Sequence, residues 1–203
     1  MSSDAYRTVR TVARCEIPKI KGSRFAGSLW PLAAEEAVGE HLAALRKELP
    51  GAGHHCWAWR LGREGEHFRC SDDGEPKGSA GRPILQRIDG AGLTGVLLVV
   101  SRVFGGTKLG VGGLVSAYGA AAAAVLGRAR VVTVVITRRL RVRHPYECSG
   151  AVHGLLAAMQ LAAFESEFGA EVSFRVEVPD RRIDEFRREL AERTAGRGSV
   201  AAD

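Results

Sequence analysis

The sequence predicts an α+β protein of two domains, on three observations. A chain of 203 residues makes one large domain or two small ones. Over the first two thirds, apolar β-branched runs alternate with segments of helical period. From residue 138 onward the order becomes strand–helix–strand–strand–helix–strand, the pattern of a small ferredoxin-like domain. Residues 1–137 and 138–203 are therefore expected to be separate domains. They are expected to join tightly, because no Gly/Pro/Ser linker lies near Thr137.

Each element has a reason in the residues. IPKIKGSRFAGSLW, residues 17–30, reads as a loop feeding a strand. Residues 33–49 read as a helix, with Val38, Leu42, Leu45 and Leu49 on one stripe, and Pro50-Gly51 stops it. Residues 54–61 alternate like a strand, and GREG turns the chain back into residues 68–71. Residues 84–89 suggest a short helical turn. GVLLVVSRVF, residues 95–104, is the β-branched run of a well-buried strand. Residues 114–126 form a helix with Leu114, Ala117, Tyr118, Ala121 and Val125 on one face; its polyalanine surface allows close approach to a sheet, and Gly127 ends it. Residues 131–143 are one extended stretch. The second domain is expected to run through 138–146, 148–160, 162–168, 172–178, 181–195 and a final strand near Ser199.

Composition narrows the function classes. With 45% hydrophobic and 26% charged residues the chain is ordinary for a globular protein. No apolar run approaches the roughly eighteen residues of a membrane helix, and MSSDAYRTVR lacks an apolar signal core. The expectation is a cytoplasmic protein with no membrane partner. Cys15, Cys56, Cys70 and Cys148 then read as reduced thiols. A net charge of +6 favours an anionic partner, although the basic residues are dispersed and only five of the 29 are lysine.

Two loops carry the chemistry. SDDGEPKGSAGRPI, residues 71–84, places Asp72, Asp73 and Glu75 within four positions, among three glycines and two prolines. The acids read either as turn-closing side chains or as part of a site; they do not follow the EF-hand spacing. FGGTKLGVGG, residues 104–113, holds five glycines between a strand and a helix. Its amides, with Lys108, could receive an anion. Equally, the glycines could serve positive φ and close packing. It matches neither a Walker loop nor a dinucleotide fingerprint. Arg102, inside an apolar strand, needs a partner, and Asp72, Asp73 and Glu75 are the candidates. His54, Cys56 and Cys70 could converge, but no zinc spacing is present, and His54 and Cys56 are poorly placed as base and nucleophile. Arg139, Arg141 and Arg143 alternate onto one sheet face, a weak nucleic-acid surface; Glu165, Glu167 and Glu177 offer charge pairing instead, and no aromatic is expected there.

The combined motifs strongly resemble the IMPACT family, whose bacterial branch is called YigZ-like. The resemblance rests on SDDGEPKGSAGRPIL followed by SRVFGGTKLGVGGLVSAYG, with GAGHHCWAW and KIKGSRFAG upstream, and covers about residues 19–127. The remainder is similar, by pattern, to a small domain of elongation factor G. The resemblance implies a ribosomal-protein-S-five-like α/β fold (that of its second domain) for the N-terminal part. That fold also serves GHMP-class kinases, where a glycine-rich loop opening a helix holds phosphate. Eukaryotic members regulate translation by binding an activator of a starvation kinase, a partner not expected in bacteria. Val103 and Ser116 stand where the family usually has an aromatic and an arginine, and Lys77 and Ser79 where Ser and Thr are commoner.

The two loops are expected to lie side by side, with Arg102 and Lys108 close to the three acids, as one rigid surface that binds rather than reacts. Its ligand-binding set is Asp72, Asp73, Glu75, Arg102, Phe104, Gly105, Gly106, Lys108, Gly110, Gly112, Gly113 and His54. No cofactor or metal is called for, and Lys108, His54 and the acids are the only candidate catalysts. The leading expectation is a translation-associated binder of RNA, ribosome or a translation-factor-like protein. The alternative is a small enzyme or sensor for a phosphorylated or nucleotide ligand.

Overall fold

The computed structural model describes residues 4–203. They divide into two compact units, the first ending at Val134 and the second running from Val135 to Asp203. The first unit contains, in chain order, β1 (Ala5–Val9), β2 (Ala13–Glu16), β3 (Arg24–Pro31), α1 (Val38–Glu48), β4 (His54–Leu61), β5 (His67–Ser71), α2 (Gly81–Gly90), β6 (Val96–Val103), α3 (Gly110–Arg128) and β7 (Val131–Val135), which reaches its boundary. The second contains β8 (Thr137–Pro145), α4 (Ser149–Met159), β9 (Ala163–Phe168), β10 (Glu171–Pro179), α5 (Ile183–Arg193) and β11 (Ser199–Ala202).

The first unit is built around β6. Its antiparallel sheet has the order β2-β3-β6-β4-β5. Because β6 lies at the centre and both faces are covered, its apolar run is continuous. Val96, Leu98 and Val100 join the larger core with α2 and α3. Leu97 and Val99 face the smaller core of Trp30, Val38, Leu45 and Trp59, where α1 packs. Strand alternation carries the first set on to Arg102. A charged side chain is thereby delivered to the helix-covered face, and this fixes the position of the site.

Helix α3 approaches β3 closely through small residues. A Cβ on Gly27 would stand 3.0 Å from Val125 Cγ1 and 3.1 Å from the Ala121 carbonyl. Helix α3 is 19 residues long and its most apolar 18-residue window has a mean hydropathy of 1.5, enough in length and composition to cross a membrane. This corrects the expectation that no such run exists. Leu114, Ala117, Tyr118, Ala121, Ala122 and Val125 of this helix are instead buried in the core of the unit.

Several elements differ from the sequence reading. α3 begins at Gly110 rather than 114, so three of the loop's glycines lie in its first turn. α2 is a full helix of ten residues. β1 and β2, which were not expected, precede the 17–30 segment, and β1 pairs with β7 as a two-stranded ribbon. The 131–143 stretch is two strands that break at Ile136, whose carbonyl accepts from the Asp180 amide. A turn of 3-10 helix precedes α1.

In the second unit the antiparallel order is β11-β8-β10-β9, the arrangement of a ferredoxin-like βαββαβ fold. Leu140, Val142, Phe174, Val176 and Val178 pack against Val152, Leu155, Phe186 and Leu190 of the two helices.

Two glycine substitutions should separate packing from propensity. Gly27→Ala should destabilise by about 1–3 kcal/mol, as overpacking does. Gly39→Ala, in α1 with nothing within 4 Å of the new methyl, should stabilise by about 0.5–1 kcal/mol. Urea midpoints at constant m-value measure both.

Candidate functional site

The acidic loop is two successive turns. The Glu75 amide donates to the Asp72 carbonyl at 2.9 Å and the Ser79 amide to the Pro76 carbonyl at 3.0 Å. Asp73 (φ 41°) and Gly74 (φ 87°) occupy the central positions of the first. Both angles are left-handed, which Asp tolerates and Gly prefers.

The three acids then separate. Asp72 turns inward to the start of α2, where its carboxylate accepts from the amides of Gly78 at 2.7 Å, Ala80 at 3.0 Å and Gly81 at 2.8 Å. Helix α2 has no adjacent side-chain cap, and Asp72 supplies one from outside the helix. Burial raises the pKa of this carboxyl, but the three amide hydrogen bonds outweigh it and hold the group below its usual range. Asp73 accepts from the His55 amide at 2.7 Å and from Arg46 at 3.1 Å. Its carbonyl accepts from His54 Nδ1 at 2.8 Å, which fixes that proton on Nδ1. Asp72 and Asp73 thus spend their carboxylates on loop geometry, correcting the expectation that they face Arg102 and Lys108.

Glu75 alone turns to Arg102. Its Oε1 accepts from Arg102 Nη1 at 2.7 Å and from the Tyr118 hydroxyl at 2.8 Å. The Glu75 and Arg102 side chains are 4% and 6% exposed. The guanidinium lies over the rings of Phe25 and Phe104, at 5.6 Å and 5.4 Å from their centroids. Arg102 Nη2 reaches Ser23 Oγ at 3.4 Å, an atom that also accepts from the Gly105 amide at 3.2 Å. Arg102 Nε has no acceptor. Tyr118, Ser23 and Phe25 join the site beyond the residues that the sequence points to. Tyr118 had a readable signal, as the one hydroxyl on an otherwise apolar helix face.

A cleft of about 360 Å³ opens beside this pair. Glu75 and Pro76 of the acidic loop, Arg102, Phe104 and Lys108, and Leu109, Gly110, Val111 and Leu114 at the entry of α3 line it. The two glycine-bearing loops therefore share one cleft. Phe104 is 54% exposed. Lys108 is exposed and pairs with no carboxylate among the described residues. Gly105 does not face the cleft; it packs backbone to backbone on Gly22, where an added Cβ would fall 1.9 Å from the Gly22 carbonyl carbon. Gly106, Gly110 and Gly112 have open space above them, and Gly113 lies against Leu109.

The other candidates stand apart from the cleft. His54 lies opposite Arg102 on the neighbouring strand, held by the acidic loop. Cys56 donates to the Asp72 carbonyl at 2.9 Å, and burial pushes its thiol up to about 12, so it is a poor nucleophile at neutral pH. Among the described residues no three His, Cys, Asp or Glu side chains gather as a metal site. In the second unit Arg139 pairs with Glu177 at 3.4 Å, Arg141 with Asp203 at 3.5 Å, and the adjoining Arg175 with Glu165 and with Asp203 at 2.9 Å. Arg143 lies opposite Ser173. The expectation that no aromatic shares this face is overturned. Glu165 (φ 50°) and an irregularity in the β9–β10 register bring Phe164 opposite Arg175, and the Arg139 guanidinium sits 5.3 Å above its ring.

Asp72→Asn should cost about 1.5–3 kcal/mol at neutral pH, the worth of hydrogen bonds to a charged group. The folded-state carboxyl is depressed, so its stabilisation is complete above the unfolded value of about 3.9 and is lost as pH falls through the folded one. Urea midpoints from pH 6 to 2 should show a steeper acid loss for wild type than for the variant. Glu75→Leu should cost about 3–5 kcal/mol by stranding a buried cation, and adding Arg102→Met should recover most of it.

Residues 21–126 match the model of the Impact N-terminal domain, and residues 145–197 match a domain of unknown function, DUF1949. An "IMPACT family member in pol 5'region" of Thermus thermophilus is 44% identical over 79% of this chain and 86% of its own length. IMPACT family member YigZ of Escherichia coli is 33% identical over 89% of both chains. YvyE of Bacillus subtilis is 31% identical over 97% of this chain and 90% of its own. A crystal structure described as that of a hypothetical protein superposes with a TM-score of 0.68 at 29% identity, covering 99% of this chain and 98% of that one. On this agreement along nearly the whole length, the chain belongs to the IMPACT family.

Proposed function

We propose that this protein is a cytoplasmic, translation-associated binding protein, and that its N-terminal unit holds single-stranded RNA at the cleft between the acidic loop and α3. The observation that carries the reading is the cleft's composition. A half-exposed aromatic ring, an unpaired ammonium and the first turn of a 19-residue helix share one small concavity. Single-stranded RNA is recognised by stacking bases on aromatic rings and neutralising phosphates. Glu75 does not oppose this, because its carboxylate is already committed to Arg102 and Tyr118. The arginine face of the second unit is a poorer candidate: Arg139, Arg141 and Arg175 are paired with carboxylates.

A second reading, a sensor or enzyme for a small phosphorylated ligand, is favoured by the same helix entry beside Lys108. The two separate by titration. Fluorescence anisotropy with single-stranded RNA between 50 and 200 mM salt should give salt-dependent binding. Lys108→Ala should reduce the salt slope by about 0.7, one phosphate's worth. Phe104→Ala should weaken binding by about 1–3 kcal/mol with the slope unchanged. Folded variants that bind as wild type does would remove the cleft from the RNA surface. Co-purification of a protein partner without RNA would move the reading to a protein interface.

A further inference from the structure

We infer that the cleft is a single-nucleotide pocket: one base stacks on the exposed face of Phe104, and its phosphate sits against Lys108 and the first turn of α3. This deepens the RNA reading and rests on it for the choice of ligand class. Three separate observations converge. The first is size: about 360 Å³ is at the small end of ligand pockets, room for one nucleotide rather than a strand.

The second is the ring. Phe104 has one face over the Arg102 guanidinium and is still 54% exposed. Arg102 is itself backed by Phe25 and fixed by Glu75, so the ring lies on a rigid stack. A flat, preorganised aromatic with a free face loses little freedom when a base settles on it. Pro76, Leu109, Val111 and Leu114 provide apolar walls without hydrogen-bond donors or acceptors in their side chains. Such walls accept any base and select none, so the pocket is expected to discriminate little among the four.

The third concerns polar groups with unused capacity. Lys108 pairs with nothing among the described residues, and Gly110, which opens α3, has open space where a side chain would stand. Arg102 also lines the cleft, but its guanidinium is already held by Glu75, so it fixes the wall and leaves Lys108 as the free cation. The cleft charges, Arg102 and Lys108 against Glu75, leave one net positive charge for one phosphate.

The nucleotide could be free in solution or the phosphorylated end of an RNA, and the chemistry is the same. The test uses the full chain and measures Kd by calorimetry for adenosine 5′-monophosphate, adenosine, inorganic phosphate, and a short oligoribonucleotide with and without a 5′-phosphate. The monophosphate should bind at least about tenfold more tightly than adenosine or phosphate alone. Phe104→Leu, which keeps apolar bulk, should weaken the monophosphate about 5- to 150-fold, the range of one stacked base, and leave phosphate unchanged. Lys108→Ala should weaken both. Tighter binding of the 5′-phosphorylated oligomer than of its 5′-hydroxyl form identifies an RNA end; equal affinity for both forms, with the monophosphate bound, identifies the free nucleotide. Phosphate binding as well as the monophosphate, or Phe104→Leu without effect, overturns the pocket. A long RNA that binds in a Phe104-dependent way while no mononucleotide binds defeats this inference and leaves the RNA reading standing. Absence of both defeats the two together.

Discussion

The first unit depends on one buried ion pair. Strand β6 must be apolar on both faces to fill the centre of its sheet, and its alternation carries Arg102 onto the face covered by helices. An isolated cation there would cost several kcal/mol. Glu75 removes that cost only if the loop carrying it is held over the end of β6, and Tyr118 adds a second hydrogen bond to the same carboxylate oxygen. One contact therefore couples three elements distant in sequence: the acidic loop, the central strand and α3. An apolar pair of the same volume could stabilise the fold as well or better. What the ionic version adds is position, because the bond directions of a guanidinium allow Glu75 few alternatives.

The rest of the acidic loop serves that placement. Asp72 and Asp73 are adjacent and chemically alike, yet they perform opposite tasks. One is drawn inward onto the amides that start α2, the other back onto β4 and α1. Two anchors, one at the start of the left-handed turn and one inside it, leave the loop little freedom, and Glu75 follows at a fixed offset. Gly105 works in the same way behind the cleft. Its backbone touches that of Gly22, so the strand end and the preceding turn meet with no side chain between them. The cleft walls are thus set by backbone and carboxylates rather than by side-chain packing, which leaves the rings and aliphatic groups lining it open to a ligand.

Much of this was legible in the sequence, for identifiable reasons. The run from Val96 to Val100 reads as a well-buried strand, and the polyalanine face of the helix allows close approach to a sheet. An arginine in the first, with three acids in an earlier loop, points to a pair. Which acid it took could not be read, because that is decided by two residues of left-handed backbone that Asp73 enters and a propensity scale does not foresee. The same limit appears in the second unit. Strict alternation placed Phe164 away from the arginines, and a positive φ at Glu165 brought it to them. Glycines suggest loop and put the expected helix entry four residues late, whereas the start of α3 tolerates them. Strands β1 and β2 are hard to read because each is short and half-polar, and the four-residue alternation of Ala13–Glu16 is too brief to mark a strand.

The two basic surfaces of the chain show why charge count alone is a poor guide to a binding site. The face of β8 and β10 carries four arginines, yet three of them spend their charge on Glu165, Glu177 and Asp203 within the same sheet. An anion arriving there must compete with carboxylates already in place, and exposed pairs of this kind are weak and screened by salt. The cleft of the first unit carries only two cations. One is neutralised and buried, and through that burial it supports the ring above it; the other, Lys108, stays uncommitted. A single free charge beside a fixed aromatic face discriminates better than four paired ones. It opposes no internal partner, and it acts where the rigid Glu75–Arg102 pair already defines the walls.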